Sequence, residues 1–266
     1  MGMTKPRRSL YQKFLGRWRQ WRFKPHMIDR EVAGERISFY IADLFGEGWY
    51  GPTHHFWPEL QWIKDCGIRL GDTVVDCGAN HGFSTVLFGR WAGTAGTVVA
   101  FEPLPHNVGI LRRNLEINRI ANVKLRNVAI GEEDGIVEIT THSNGTILKG
   151  GVSLGATTQV PVRRLDDEMS GLKVDFIKID VEGYELKVLR GARRLLQGFP
   201  RMDIELHVFL YSDKVKELAE IFSLLPLKEM RPEIQLLVDG PIVSMNLEIH
   251  TPVNLAKLEV VHLFIS

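Results

Sequence analysis

Residues 73 to 85 read T-V-V-D-C-G-A-N-H-G-F-S-T, and this stretch constrains the fold of the 266-residue chain more tightly than any other. Thr73 to Val75 are β-branched and favour a buried strand. The run stops on Asp76, turns through Gly78 and Gly82, and opens into a helix. Glycine at those two places permits backbone angles and close approaches that a β-carbon forbids, so a ligand can lie against bare backbone. A strand, a glycine turn and a helix in that order form the opening unit of an open α/β sheet that binds a nucleotide-like cofactor.

The glycine spacing and Asp76 restrict which cofactor. A dinucleotide fold uses G-x-G-x-x-G, which points amides and a helix N-terminus at a pyrophosphate. Here the spacing is Gly78-x-x-x-Gly82, and the negative charge of Asp76 would repel a phosphate. S-adenosylmethionine fits better, because it carries an ammonium and a sulfonium and has no phosphate. The next predicted strand, Gly96 to Phe101, ends on Glu102 and Pro103. An acid about 20 residues past the glycine turn accepts ribose hydroxyls in doubly wound folds, so Glu102 calls for a nucleoside without separating the two cofactors. A helix from Pro105 to Asn118 follows, then a third strand from Val123 to Ile130 whose end at Asn127, Val128 and Ala129 falls beside the adenine. The expected cofactor set is therefore Asp76, Gly78, Asn80, Gly82, Ser84, Thr85, Glu102, Pro103, Asn127 and Ala129.

With these pieces in place the chain resembles the class I methyltransferases, and within them the FkbM family. The resemblance rests on V-V-D-C-G-A-N-H-G-F-S-T at 74 to 85, A-F-E-P-L-P-H-N at 100 to 107, N-V-A-I-G at 127 to 131, and D-F-I-K-I-D-V-E-G-Y-E-L-K-V-L-R-G-A at 175 to 192. The last is the most specific signature, and the likeness spans about Pro58 to His207. It implies an S-adenosylmethionine-dependent O-methyltransferase acting on polyketide, sugar or other small hydroxyl groups. It also implies a Rossmann-like, doubly wound, seven-stranded and mostly parallel sheet with a C-terminal antiparallel edge.

Such chemistry belongs at the end of the fourth strand, Val174 to Asp180, where Phe176, Lys178 and Asp180 share one face. The acceptor oxygen must be held in line with the methyl group, and an alcohol must lose its proton. Asp180, Glu182 and His207 can take or orient that proton, His207 standing at the end of a fifth strand from Met202 to Val208. Lys178 joins them as a candidate, although it can equally be a salt-bridge partner of Asp180 or Glu205. Glu182 can instead serve a helix N-terminus, and His207 can be a hydrogen-bonded structural histidine. Asp180, Glu182, Glu205 and His207 also offer donors that suit magnesium or manganese, without a diagnostic spacing. A metal is left open on that evidence.

With 44% hydrophobic and 24% charged residues the chain can bury one full α/β core. Cys66 and Cys77 are its two cysteines, and a disulfide at Cys77 would restrict the cofactor turn, so a reducing cytosol is expected. No run of about 18 apolar residues suggests a membrane span. Charge is uneven: Lys5, Arg7, Arg8, Lys13, Arg17, Arg19, Arg22 and Lys24 precede the first acid, Asp29. Setting those eight aside leaves 25 of the 33 basic residues against 32 acids, about −7 for the remainder. Tyr11, Phe14, Leu15, Trp18 and Trp21 recur among these cations at helical spacing. Residues 1–30 thus read as a basic amphipathic arm, and 31–266 as the methyltransferase domain with a strand and loop cap over 31–66. The arm suits peripheral contact with the inner membrane face through residues 7–24, or docking on its own domain or a second subunit. The acidic remainder argues against nucleic acid.

Glu35 to Asp43 alternates like a strand or hairpin, Gly46 to Pro58 reads as a loop, and Glu59 to Cys66 as a helix. Trp49, Tyr50, His54, His55, Phe56 and Trp57 suggest an aromatic wall for a sugar, or simple packing. Ile136 to Thr141, Gly151 to Leu154 and Thr158 to Arg163 read as short extended pieces decorating the rim of the sheet, and the glycine-rich Ser143 to Gly155 as a segment that can shape the acceptor pocket. Asp213 to Leu225 reads as a helix capped near Ser212, and Glu233 to Val238, Ile242 to Ile249 and Leu258 to Ile265 as strands, the last two forming the antiparallel edge. A glycan or lipid-linked hydroxyl is the favoured acceptor. A nicotinamide oxidoreductase and a non-catalytic binding protein are the alternative function classes.

Overall fold

The computed structural model describes residues 22–51, 57–141, 156–237 and 240–266. The chain enters through a hairpin of β1 (His26–Val32) and β2 (Glu35–Ile41), in register from His26↔Ile41 to Val32↔Glu35. Ala33 and Gly34 both take positive φ at its tip, which is what a tight hairpin turn requires. The strands that follow are β3 (Thr73–Cys77), β4 (Thr97–Phe101), β5 (Val123–Arg126), β6 (Ala129–Gly131), β7 (Gly135–Thr140), β8 (Thr157–Arg164), β9 (Phe176–Ile179), β10 (Arg201–Leu206), β11 (Pro232–Gln235), β12 (Val243–Ser244) and β13 (Val261–Ile265).

Eight of them make one sheet in the order β12-β11-β13-β10-β9-β3-β4-β5. Every neighbouring pair from β10 to β5 is parallel, while β13 runs antiparallel between β10 and β11. The central strands are largely apolar on both faces, as parallel strands covered by helices must be, except for Asp76, Lys178 and Asp203, which lie side by side. On one face Val75, Val99, Ile177, Ile179 and Ile204 meet Leu186, Val188 and Leu189 of helix Glu185–Gly191 and Leu218 and Ile221 of helix Lys214–Leu224. On the other, Val74, Val98, Ala100 and Phe176 meet Phe83, Leu87 and Phe88 of helix Phe83–Ala92, with Ile37, Phe39 and Ile41 of the hairpin. This is the expected doubly wound α/β sheet, with eight strands instead of seven among the described residues because the two-residue β12 pairs onto β11 at the edge.

Several local expectations change. The strand expected over Val123 to Ile130 is two strands in different sheets, because the chain breaks at Asn127, whose amide donates to the carbonyls of Glu102 (2.8 Å) and Pro103 (2.9 Å). β6 then joins β8 and β7 in a separate three-stranded sheet. Of Ile242 to Ile249 only Val243 and Ser244 form a strand, and both are exposed at the edge. β13 is buried at all five residues and is therefore inserted between two neighbours rather than left at the rim. The loop expected over 46–58 contains a helix, Leu44–Tyr50, because the Asp43 side chain accepts from the Gly46 amide at 2.8 Å as an N-cap. Pro58–Trp62 is helical and continues as a π turn, Ile63–Gly67. Asp213, rather than Ser212, caps the helix Lys214–Leu224. Residues 26–30 of the expected arm belong to β1, while residues 1–21, His54, His55, Phe56 and the segment 143–155 lie outside the described residues.

The two motif glycines are required by the protein itself. Gly78 has φ +90°, and a β-carbon there would stand 1.8 Å from the carbonyl oxygen of Asp180. Gly82 has φ +87°, and its β-carbon would stand 2.7 Å from Leu111 Cγ. The first contact presses the turn onto the end of β9, and the second presses one helix onto another. Gly78→Ala is expected to lower stability by roughly 2 kcal/mol or more, since the left-handed conformation alone costs about 1–2 kcal/mol before any clash is counted. The check is the urea midpoint of unfolding, and an unchanged midpoint would refute the close contact.

Candidate functional site

A cavity of about 420 Å³ opens at the carboxyl ends of β3, β4, β9 and β10, a volume typical of small-molecule sites. The sheet order spreads its walls laterally. Beside β4 and β6 stand Phe101, Glu102, Pro103, Val128, Ala129 and Ile130; beneath the glycine turn stand Asp76, Gly78, Ala79, Asn80 and Ser84. Toward β10 and β13 lie Lys178, Asp180, Glu182, Glu205, His207 and His262. Phe45, Trp49, Tyr50, Trp57 and Phe209 add aromatic surface. Tyr50 also stacks on Phe83 with ring centroids 5.2 Å apart, so that member of the aromatic wall is packing as well as lining.

Glu102 is buried and held from three sides. Its Oε2 accepts from the Asn80 amide at 2.9 Å, and its Oε1 accepts from the Leu104 amide at 2.8 Å and the Asn107 side chain at 3.2 Å. Burial pushes its carboxyl up to about 7 in spite of those donors. Asp76, also buried, accepts from Thr85 Oγ1 at 2.6 Å and lies in register with Lys178. Burial raises it to about 6, with Lys178 pulling the other way. Of the residues expected around a cofactor, Asp76, Gly78, Asn80, Ser84, Glu102, Pro103 and Ala129 line the cavity. Gly82, Thr85 and Asn127 do not: Gly82 packs on Leu111, Thr85 bonds Asp76, and exposed Asn127 ties down the Glu102–Pro103 backbone.

The opposite end is a cluster of buried ionisable groups. Lys178 Nζ donates to Asp180 Oδ2 at 2.9 Å. Burial disfavours the Lys178 charge, but Asp180, Asp203, Glu205 and Asp76 outweigh it and hold the ammonium above its ordinary pKa. Burial raises Asp180, with Lys178 opposing. His207 Nδ1 lies 2.9 Å from Glu185 Oε1, and its Nε2 lies 3.6 Å from Glu182 and 3.7 Å from Glu205. Burial would lower His207, yet the hydrogen bond and charge of Glu185, with Asp180 and Glu205, push it up to about 10. Glu185 is itself fixed by the Gly183 amide at 2.8 Å and the Tyr211 hydroxyl at 2.9 Å. Glu182 precedes the helix at φ +52°, an uncommon backbone for a residue with a side chain, and burial pushes its carboxyl up to about 7.

Lys178, Asp180, Glu182 and His207 are thus brought together, the first two by the end of β9, Glu182 by the turn after it and His207 by the end of β10. Glu185, Tyr211, Asp203 and His262 were missed. Glu185 sits inside the 175-to-192 signature, but only the contact between its helix and the end of β10 reveals that it holds His207. The cavity wall carries Glu59, Asp76, Glu102, Asp180, Glu182 and Glu205 against Lys178, His207 and His262. That excess of acid, together with the raised carboxyls of Glu59, Glu102 and Glu182, suits a ligand bearing positive charge, and a nucleoside with an ammonium and a sulfonium meets that description. Asp180, Glu205 and His207 present ligand atoms within 4.8 Å of one another, but the Lys178 ammonium and the imidazolium already supply positive charge there, so the donor set fits a divalent ion poorly.

Residues 76–232 match the family model of the methyltransferase FkbM domain. A protein of Beauveria bassiana (strain ARSEF 2860) named Methyltransferase 1 is 30% identical over 146 residues, covering 44% of this chain and 57% of that protein. Methyltransferase sdnD of Sordaria araneosa is 29% identical over 157 residues, covering 44% of this chain and 59% of that protein. The chain therefore spans less than two thirds of these curated relatives. Among solved structures, a methyltransferase FkbM from Methylobacillus flagellatus KT superimposes with a TM-score of 0.47 at 23% identity, covering 73% of this chain and 43% of that one.

The His207 pairing has a pH signature. A folded-state pKa of about 10 stands above the ordinary histidine value of about 6.5. The stabilisation is therefore complete below about pH 6.5 and is lost as pH rises through about 10. Wild type is expected to lose stability more steeply than His207→Gln between those limits, and Glu185→Gln to lower the ring pKa seen by NMR titration. A ring titrating near 6.5 in wild type would refute the assignment.

Proposed function

Because the chain belongs to the FkbM methyltransferase family, we propose that it is an S-adenosylmethionine-dependent O-methyltransferase acting on a small-molecule or sugar hydroxyl. The observation that carries the reading is the acid-rich cavity beside the glycine turn, with an immobilised carboxylate at Glu102 and a further one at Asp76. Glu102 would hold the ribose hydroxyls, Asn80 and Ser84 would face the cofactor from the turn, and Val128, Ala129 and Ile130 would flank the adenine. Asp76 would compensate the positive charge of the methionine end. When bound, S-adenosylmethionine supplies an electrophilic methyl group on a sulfonium.

The residues at the other end prepare the acceptor. Glu182 takes the hydroxyl proton on its carboxylate, since a base whose pKa is pushed up to about 7 is matched to neutral pH. His207, held as a cation by Glu185, positions Glu182 through Nε2 and offsets the charge around it. Asp180, fixed by Lys178, orients the hydroxyl. Aromatic residues around the cavity exclude water and offer flat surfaces to a sugar ring. The basic aromatic sequence of residues 7–24 supports peripheral contact with anionic lipid, and with it a lipid-linked acceptor. Among the described residues no helix is long and apolar enough to cross a membrane.

Calorimetric titration with S-adenosylhomocysteine, beside NAD, tests the cofactor. Wild type is expected to bind S-adenosylhomocysteine and not NAD, and Glu102→Ala to bind about tenfold to a hundredfold more weakly, the value of hydrogen bonds to a charged group. Binding of NAD alone would refute the proposal. Glu182→Gln is expected to keep S-adenosylhomocysteine affinity within about threefold while methylation of an identified acceptor falls about 10²–10⁴-fold, the usual contribution of a general base. Unchanged methylation would remove Glu182 from the mechanism.

A further inference from the structure

A second group of chemistry-bearing side chains lies outside the cavity lining, where three segments distant in sequence converge. Asp43 stands between β2 and the helix Leu44–Tyr50, His81 lies in the glycine turn after β3, and His106 is in the first turn of the helix Pro105–Ile117. The His106 Nε2 is 3.3 Å from Asp43 Oδ2, and the His81 Nε2 is 3.8 Å from the same oxygen. One ligand atom from each of the three residues lies within 4.8 Å of the others.

His81 is the unusual member. Its side chain is 0% exposed, and neither ring nitrogen has a partner within 3.5 Å at good geometry among the described residues, while the Asn107 side chain stands close enough to act on the ring as a weak hydrogen-bonding group. A fully buried imidazole whose nitrogens have no close partner is costly. The ring is confined by Phe45 and Tyr50, each with centroids 5.9 Å away, and by Gly46, where a β-carbon would come to 3.0 Å from Nδ1. Asp43 Oδ1 accepts from the Gly46 amide at 2.8 Å, which turns Oδ2 toward the two imidazoles. The His106 side chain is 61% exposed and gives the group a route to solvent.

We propose that Asp43, His81 and His106 form a divalent metal site of the zinc type, with solvent completing the coordination. Two imidazole nitrogens and one carboxylate oxygen are a donor set that zinc accepts, with the remaining position open to water. Bonds of about 2.1 Å in a tetrahedron place ligand atoms about 3.4 Å apart. The Asp43–His106 pair already stands near that spacing, His81 needs to approach by a few tenths of an ångström, and exposed His106 has room to close the widest gap. The ion would fasten the hairpin and its following helix to the cofactor turn, since His81 adjoins Asn80 and the Asn80 amide holds Glu102. The site stands independently of the methyltransferase reading.

The test uses the full chain, stripped with chelator, then titrated with Co²⁺ by visible absorption and with Zn²⁺ by calorimetry. One saturable ion per chain is expected, with d–d bands of low-symmetry coordination and a raised thermal midpoint. His106→Gln, at an exposed position, is expected to fold and to lose all three signals, while His207→Gln keeps them. Absence of saturable binding in wild type, or binding that survives His106→Gln, would overturn the proposal. Binding lost in His207→Gln would also overturn it, by placing the ion in the acid-rich cavity.

Discussion

Lys178 carries a positive charge into the centre of the sheet, and the arrangement of the acids around it depends on that charge. The side chain is 9% exposed, lies in register with Asp76 on one neighbouring strand and Asp203 on the other, and reaches Asp180 at 2.9 Å. Buried carboxylates this close together repel one another and resist ionisation unless a cation stands among them. Lys178 supplies that cation from β9, between β3 and β10, and His207 and His262 supply it at the ends of β10 and β13. The cavity nevertheless keeps more acids than bases, and a cationic ligand would draw the raised carboxyls of Glu59, Glu102 and Glu182 back toward ionisation.

Around this charged floor, the backbone is held in place by contacts between elements. Gly78 permits the turn after β3 to rest on the Asp180 carbonyl, Gly183 presses on Leu210, and Asn127 ties the Glu102–Pro103 segment from the break between β5 and β6. Each places a carboxylate through main-chain geometry rather than through its own rotamer. Glu185 performs the same service for His207, and its own two oxygens are fixed by Gly183 and Tyr211. Apart from Gly78, these orienting residues lie outside the cavity wall, so the side chains that line it are held in place without added bulk.

How much of this could be read beforehand varied with the range of the interaction. The strand, turn and helix at 73 to 85 were legible because β-branched residues, glycines and helix formers act over a few neighbouring positions. The face shared by Phe176, Lys178 and Asp180 followed from the two-residue period of a strand. The break at Asn127 was not legible, since its cause is a hydrogen bond to a backbone 25 residues away. The helix Leu44–Tyr50 was hidden by its glycines and aromatics, although Asp43 offered an N-cap signal. The insertion of β13 depended on two neighbouring strands, and nothing in Val261–Ile265 itself says that an edge is excluded.

The sequence by itself determined the α/β class, the position of the glycine turn after β3 and the acids beside it, because these rest on local propensity and on the period of buried residues. Tertiary structure decided the partners: Glu185 for His207, Asn127 for the Glu102 segment, and the meeting of Asp43, His81 and His106. Those pairings join residues that the chain separates by up to tens of positions. Their energies depend on distance, burial and dielectric, and none of these exists until the sheet has closed.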